Sequence, residues 1–172
     1  MEWIVGGLLI ATAAVGGIVA IVRRESSAIG WAIAQLVLVA SAGVLALVGP
    51  TPTHGWAVPL AACAVLAATF GGGIVVMAVL RLAGHPMTQA DDLPASAWIG
   101  MAERFAMTFA LAIGQGAIAA VVIAVKALGS YRGDSSGTNR VASIRVLGTL
   151  TSVIWALLCF GVLVVAQTRM VP

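Results

Sequence analysis

Residues 97–128 read AWIGMAERFAMTFALAIGQGAIAAVVIAVKAL, and this stretch decides how the fold is interpreted. A helix crosses a bilayer with about 20 apolar residues, so the stretch predicts one spanning helix with a short interfacial lead-in. It carries most of the unusual chemistry of the chain. Glu103 and Arg104 lie near its start, Gln115 at its centre and Lys126 at its end. We therefore expect the other helices to pack around this one.

Small residues recur at every fourth position in two places, which lets helix backbones approach each other closely. We expect the two ridges to pack together as an antiparallel pair of helices. The first ridge comprises Thr108, Ala112, Gly116, Ala120 and Ala124, and the second comprises Gly148, Ser152 and Ala156.

The composition indicates a membrane protein. Of the 172 residues, 61% are hydrophobic and 9% are charged, whereas a soluble domain has roughly 25% charged residues. So few charges cannot cover a water-facing surface, and we expect the lipid bilayer to cover much of it. The net charge of +3 is scattered over loop ends without a basic stripe, so no nucleic-acid partner is expected.

Five apolar runs are long enough to span a bilayer. The fold prediction is an all-α, polytopic transmembrane bundle that forms a single membrane domain. The first run is interpreted as a retained helix because its early charge, Glu2, is acidic and its basic pair follows the apolar residues, unlike a signal peptide. The predicted helices cover about 3–22, 28–48, 56–82, 97–128 and 143–166.

Three consecutive glycines, Gly71, Gly72 and Gly73, lie in the middle of the third predicted helix. In lipid the backbone hydrogen bonds must still be made. The triplet therefore predicts either a very close helix contact or a break, such as the unwound segments of transporters. The close contact is the favoured interpretation.

Polar side chains within the spans are candidates for packing or for function. Glu103 and Arg104 point about 100° apart on a helix, so each needs its own partner. Arg81 or a neighbouring subunit could pair with Glu103, and Arg104 could reach the interface with its long side chain. The alternative is an ion- or proton-linked role. The remaining candidates for a pathway or for hydrogen bonding between helices are Gln115, Lys126, Gln35, Arg145, Thr149 and Ser152.

No pattern in the sequence indicates a catalytic residue, a metal site or a cofactor. His54 and His85 flank the third predicted helix and are therefore expected on opposite membrane faces. Cys63 and Cys159 both lie in apolar runs, where free cysteines are common. We expect that the protein is not an enzyme.

Three segments carry a resemblance: WIGMAER at 98–104, GQGAIAAVVIAVKAL at 114–128 and LGTLTSVIWALL at 147–158. They resemble the C-terminal two helices of a group of uncharacterised bacterial multi-pass inner-membrane proteins. The resemblance covers residues 99–163. It implies a bacterial plasma membrane location and makes Glu103, Arg104, Gln115 and Lys126 the positions to test, and it implies no known activity.

These patterns predict a small oligomeric channel or transporter-like protein that moves a cation or small solute. The polar positions along one helix and the glycine triplet favour this function. The alternative is an accessory subunit of a larger bacterial membrane complex, which the small size and sparse loops favour. A homo-oligomer is expected because several small-residue faces have no partner within one chain.

Overall fold

The computed structural model describes residues 2–22, 28–49, 54–84, 94–132 and 139–169. All regular structure in these ranges is helical, so the all-α prediction is confirmed. Six α-helices follow one another: α1 Glu2–Val22, α2 Ala28–Val48, α3 Ala57–Leu82, α4 Pro94–Ala112, α5 Gly116–Arg132 and α6 Asn139–Thr168. A short 3₁₀ turn, His54–Trp56, precedes α3.

The predicted single helix at 97–128 is wrong, because the chain reverses direction within it. α4 ends in a Schellman motif in which Gly114 N–H bonds Leu111 O and Gln115 N–H bonds Ala110 O, at 3.0 and 2.7 Å. Gly114 has a φ of 77°, a left-handed conformation that glycine adopts without a steric penalty. The result is an α4–α5 hairpin in place of one long helix.

The helix at the centre of the bundle is α3, and the expectation that the others surround residues 97–128 is wrong. α3 packs against α1, α2, α4 and α6. Its buried residues cover most of the circumference of the helix, and the exposed Leu66 and Phe70 mark the remaining strip. By contrast, Ala119 is the one buried residue among the described side chains of α5.

Three helices, α2, α3 and the 143–168 part of α6, are long and apolar enough to cross a membrane. Their surfaces fit that setting. In α2 the buried positions recur at alternating spacings of four and three and are mostly small, whereas the exposed positions carry large residues such as Ile33, Val37 and Leu47. Small residues inside and large apolar residues outside are typical of helices that pack together in lipid.

The predicted pairing of the two ridges of small residues is wrong for the half of the first ridge that lies on α5. The turn at Gly114 divides the first ridge, so Thr108 is buried and Ala112 half-buried, whereas Gly116 and Ala120 are exposed on α5. The second ridge lies on α6, which contacts α4. Ser152 and Ala156 are buried, and Gly148 lies beside Val76 of α3.

The closest helix contact joins α1 and α3. A Cβ atom placed on Gly16 would lie 2.5 Å from the backbone oxygen of Phe70 and 2.8 Å from the Cα of Gly71. No side chain can fit between these backbones. The same two helices are joined at one end by an edge-to-face contact of Trp3 with Trp56, whose ring centroids are 4.2 Å apart. α1 and α3 therefore run parallel in close contact.

Candidate functional site

The candidate site is built around Arg104 of α4, whose guanidinium is buried and contacts α3 and α6. The Arg104 residue is only 5% exposed. Its Nε and Nη2 atoms donate hydrogen bonds to the backbone oxygen of Thr69 at 3.2 and 3.1 Å, and its Nη1 donates to the Oγ of Ser152 at 3.2 Å. The expectation that Arg104 reaches the interface is therefore wrong, because α3 and α6 supply oxygen acceptors within its reach inside the bundle.

These partners lie halfway along their helices. Thr69 is the thirteenth of the 26 residues of α3, and Ser152 is the fourteenth of the 30 residues of α6. Arg104 itself is the eleventh of the 19 residues of α4. A charge buried at such a position is costly in an apolar medium and is a functional candidate for that reason.

The glycine triplet makes room for this guanidinium. A Cβ atom on Gly72 would lie 2.6 Å from Arg104 Cδ and 2.8 Å from Trp155 Cδ1. A Cβ atom on Gly71 would lie 2.7 Å from Trp155 Cζ2, whereas Gly73 leaves a 4.0 Å distance to Arg104 Nη2. α3 continues as one helix through all three glycines, so the predicted close contact is present and the alternative of a helix break is wrong.

Trp155 and Thr69 belong to the site and were missing from the predicted set. The Trp155 indole is 1% exposed and donates from Nε1 to the backbone oxygen of Ala67 at 3.3 Å. Its position in the middle of an apolar helix is a detectable signal, since tryptophans of membrane proteins concentrate at the interfaces. Thr69 contributes only its carbonyl, which no side-chain pattern could identify.

Glu103 forms a salt bridge with Lys126 of α5. The predicted partners of Glu103, Arg81 or another subunit, are replaced by a residue that lies 23 positions further along the chain. The hairpin brings the two together: in a continuous helix, 23 residues would separate them by about 35 Å. Both side chains are partly exposed, Lys126 by 17% and Glu103 by 24%. Because Glu103 and Arg104 are adjacent on α4, one faces α5 and the other faces α3 and α6.

A small cavity is lined both by Arg104 and by the Glu103–Lys126 salt bridge. It is lined by side chains of α4, α5 and α6 and has a volume of about 10 Å³, room for roughly one water molecule. Its lining residues are Glu103, Arg104, Met107, Val122, Ile123, Lys126, Ser152 and Val153. Three charged residues and one serine therefore contribute to the lining of a single small space, although the surface of that space is almost wholly apolar.

The remaining predicted polar residues lie outside this cavity. Gln115 is exposed in the α4–α5 turn, so its predicted position in the middle of a span is wrong. Gln35 is fully buried and donates from Nε2 to the backbone oxygen of Thr12 at 3.0 Å, which joins α2 to α1. Arg145 is exposed two turns before Ser152, and Thr149 is half-buried on the same helix.

Comparison with known proteins adds no assignment: no family model, curated protein or solved structure matches this chain. The resemblance to bacterial inner-membrane proteins stays a prediction. Among the described residues no group of three or more His, Cys, Asp or Glu side chains could hold a metal ion.

Proposed function

We propose that this protein is a membrane transport protein of the carrier type, which binds a small solute halfway across the bundle. The observation that carries the proposal is the assembly of Glu103, Arg104, Lys126 and Ser152 around one cavity. Charged residues inside the membrane typically mark substrate or ion pathways, because their placement there is expensive. At about 10 Å³ the cavity is far smaller than a continuous pore, which favours a carrier over an open channel.

The charge balance at the cavity disfavours a cation. Lys126 neutralises Glu103 through their salt bridge, and Arg104 adds a second positive charge. One negative and two positive charges leave a net charge of +1 at the cavity. A neutral or anionic solute fits this balance better than the cation expected from the isolated sequence.

The hairpin also changes the proposed topology. If α4 and α5 both cross the membrane, six crossings place the two ends of the chain on the same face. Five crossings would place them on opposite faces. We propose that the α4–α5 hairpin enters the membrane and returns to the same side, so that both ends of the chain lie on one face of a bacterial plasma membrane, and cysteine accessibility measured near each end of the chain tests this.

The transport proposal is tested by solute flux in liposomes that contain the purified protein. Wild type is compared with Arg104→Gln and with Arg145→Gln, which removes an exposed arginine of α6 as a matched control. We expect protein-dependent flux of at least one small solute in wild type and Arg145→Gln, and its loss in Arg104→Gln. A panel of potassium, chloride, formate and glycerol that shows no protein-dependent flux contradicts carrier function.

The second candidate is an accessory subunit of a larger membrane complex, and α5 favours it. Large apolar residues on α5, among them Val121, Val125 and Leu128, are exposed, and within the described residues α5 packs mainly against α4 and α6. Such a face suits another membrane protein, whether a second copy of this chain or a different subunit. The mass of the particle in mild detergent distinguishes these cases: a multiple of 17.4 kDa indicates a homo-oligomer, and a co-purifying chain indicates a partner.

A further inference from the structure

We propose that α5 is a gate over Arg104, which swings away from α4 and α6 about the turn at 114–116 and admits water to the site. This inference rests on the proposed carrier function and names its moving part, because a carrier must open its solute site to one face of the membrane. The structure has the gate closed: the cavity of about 10 Å³ has room for roughly one water molecule, and its surface is almost wholly apolar. A solute therefore reaches Arg104 only after one of the three helices that line the cavity moves.

Of these three helices, α5 is packed least firmly. Ala119 is the one buried residue among its described side chains. On α4, by contrast, Arg104, Met107, Thr108 and Ala110 are all buried in the bundle. Elements with few buried apolar contacts open at a lower free energy than the core of a protein does. The wall formed by α5 is therefore the one expected to open first.

The turn that joins α4 to α5 has the freedom that a hinge requires. Gly114 has a left-handed φ of 77°. Cβ atoms placed on Gly114 or Gly116 would meet no atom within 4 Å, and Gln115 between them is exposed. The backbone torsions of this turn can therefore change without displacing a packed neighbour, as in other hinges that consist of a few loop residues.

Two opposing contributions set the position of the gate. Arg104 is buried, and the cost of keeping a guanidinium away from water is relieved when the gate opens. The closed position is favoured by Val122 and Ile123, which line the cavity from α5, and by the Glu103–Lys126 salt bridge. Lys126 also makes a further interaction, so loss of the salt bridge loosens α5 without releasing it. The balance predicts a minor open population that grows when the salt bridge is removed.

Thiol labelling of the full-length protein tests the gate. Ser152→Cys places a thiol at the cavity in a protein whose two native cysteines are replaced by alanine. The matched control lacks Cys63 and keeps Cys159, which lies on the same helix, is 0% exposed and is not among the residues that line the cavity. Each protein reacts in mild detergent with a charged, water-soluble methanethiosulfonate. Each rate is divided by the rate of the same cysteine in the unfolded protein, which removes differences in intrinsic thiol reactivity.

We expect the thiol introduced by Ser152→Cys to react faster than Cys159 on this scale, because movement of α5 exposes the cavity while α3 and α6 stay packed. Glu103→Gln removes the salt bridge and is expected to raise the rate at the cavity about 1.5- to 5-fold, as for other partly exposed ion pairs. It is expected to leave the rate at Cys159 unchanged. Arg145→Gln, which removes an exposed charge of α6, is expected to alter neither rate.

If Ser152→Cys does not fold, Met107→Cys places the thiol on another wall of the same cavity and carries the same expectations. Equal scaled rates at the cavity and at Cys159 show that only global unfolding exposes the site, and they overturn the proposal. A rate at the cavity that Glu103→Gln does not raise overturns it as well, because α5 would then not be the wall that opens.

Failure of this inference and failure of carrier function are distinguishable. Labelling of the cavity that Glu103→Gln accelerates, without flux of any solute, supports the gate and contradicts transport. Arg104-dependent flux with equal scaled rates at the cavity and at Cys159 supports transport and contradicts the gate.

Discussion

Gly16→Ala tests the contact that holds the bundle together. The added Cβ atom would lie 2.5 Å from the backbone oxygen of Phe70, whereas a Cβ atom essentially never approaches another heavy atom closer than 3.0 Å. α1 and α3 must therefore separate by at least 0.5 Å. The atoms in the way belong to backbone, so no rotamer change relieves the overlap.

The magnitude follows from two opposing terms. Replacing glycine by alanine inside a helix raises the free energy of unfolding by about 1 kcal/mol, because alanine has the higher helix propensity. Overpacking in a tight core typically lowers the free energy of unfolding by about 1–3 kcal/mol. Where the two helices are pushed apart by about 0.5–1 Å, each dispersion contact between them loses about a quarter to a half of its energy. Gly17 provides the matched control, since a Cβ atom there meets nothing within 4 Å. The propensity gain is common to both variants and cancels in the comparison.

We therefore expect Gly16→Ala to be less stable than Gly17→Ala by about 1–3 kcal/mol, which corresponds to about 2–12 °C in Tm for a chain of this size. Thermal unfolding in a mild detergent, followed by circular dichroism, measures the difference. Equal stability of the two variants refutes the close approach of α1 and α3 at Gly16 and Phe70.

Three further outcomes are expected. Gly72→Ala displaces Arg104 and Trp155 and lowers both Tm and solute flux, whereas Gly73→Ala, which meets only an ordinary contact, leaves flux unchanged and does not lower Tm; equal effects of the two variants on flux and Tm contradict the packing described at Gly72. Glu103→Cys combined with Lys126→Cys, in a background without native cysteines, is joined within one chain by a short bifunctional thiol reagent that matches the reach of the replaced side chains, and absence of this cross-link in the folded protein contradicts the hairpin. Gly116→Leu changes stability by no more than about 0.5 kcal/mol because the position is open, and a large loss of Tm indicates that a partner covers α5.

The α4–α5 reversal shows where sequence reasoning reached its limit. Small residues at four-residue spacing from Thr108 to Ala124 suggested one continuous ridge. The run at 97–128 is longer than the roughly 20 residues that a span requires, and this excess length indicated that it was not one helix. Gly114 is followed by Gln115 and Gly116, and a glycine at that place is the usual residue of a Schellman cap. Chain reversal inside an apolar run depends on the hairpin contacts formed afterwards, which a local pattern does not contain.

The glycine triplet was predicted with its correct role but without its partners. Close packing follows from the cost of glycine in a helix that must keep its hydrogen bonds in lipid. The identity of what packs there, Arg104 and Trp155, depends on contacts between helices that are 30 to 90 residues apart in the chain. Periodicity within one helix gives no information on such contacts. The same limit explains why α3 was not recognised as the central helix.

Glu103 and Arg104 are neighbours in the sequence, and for this reason their side chains face different helices. The roughly 100° between neighbouring helix positions directs the guanidinium towards α3 and α6 and the carboxylate towards α5. Lys126 then reaches the carboxylate only while α5 lies against α4. Movement of α5 away from α4 would separate Lys126 from Glu103. The position of α5 therefore decides whether the Glu103 carboxylate is paired with Lys126 or left to act on the electrostatic potential at Arg104.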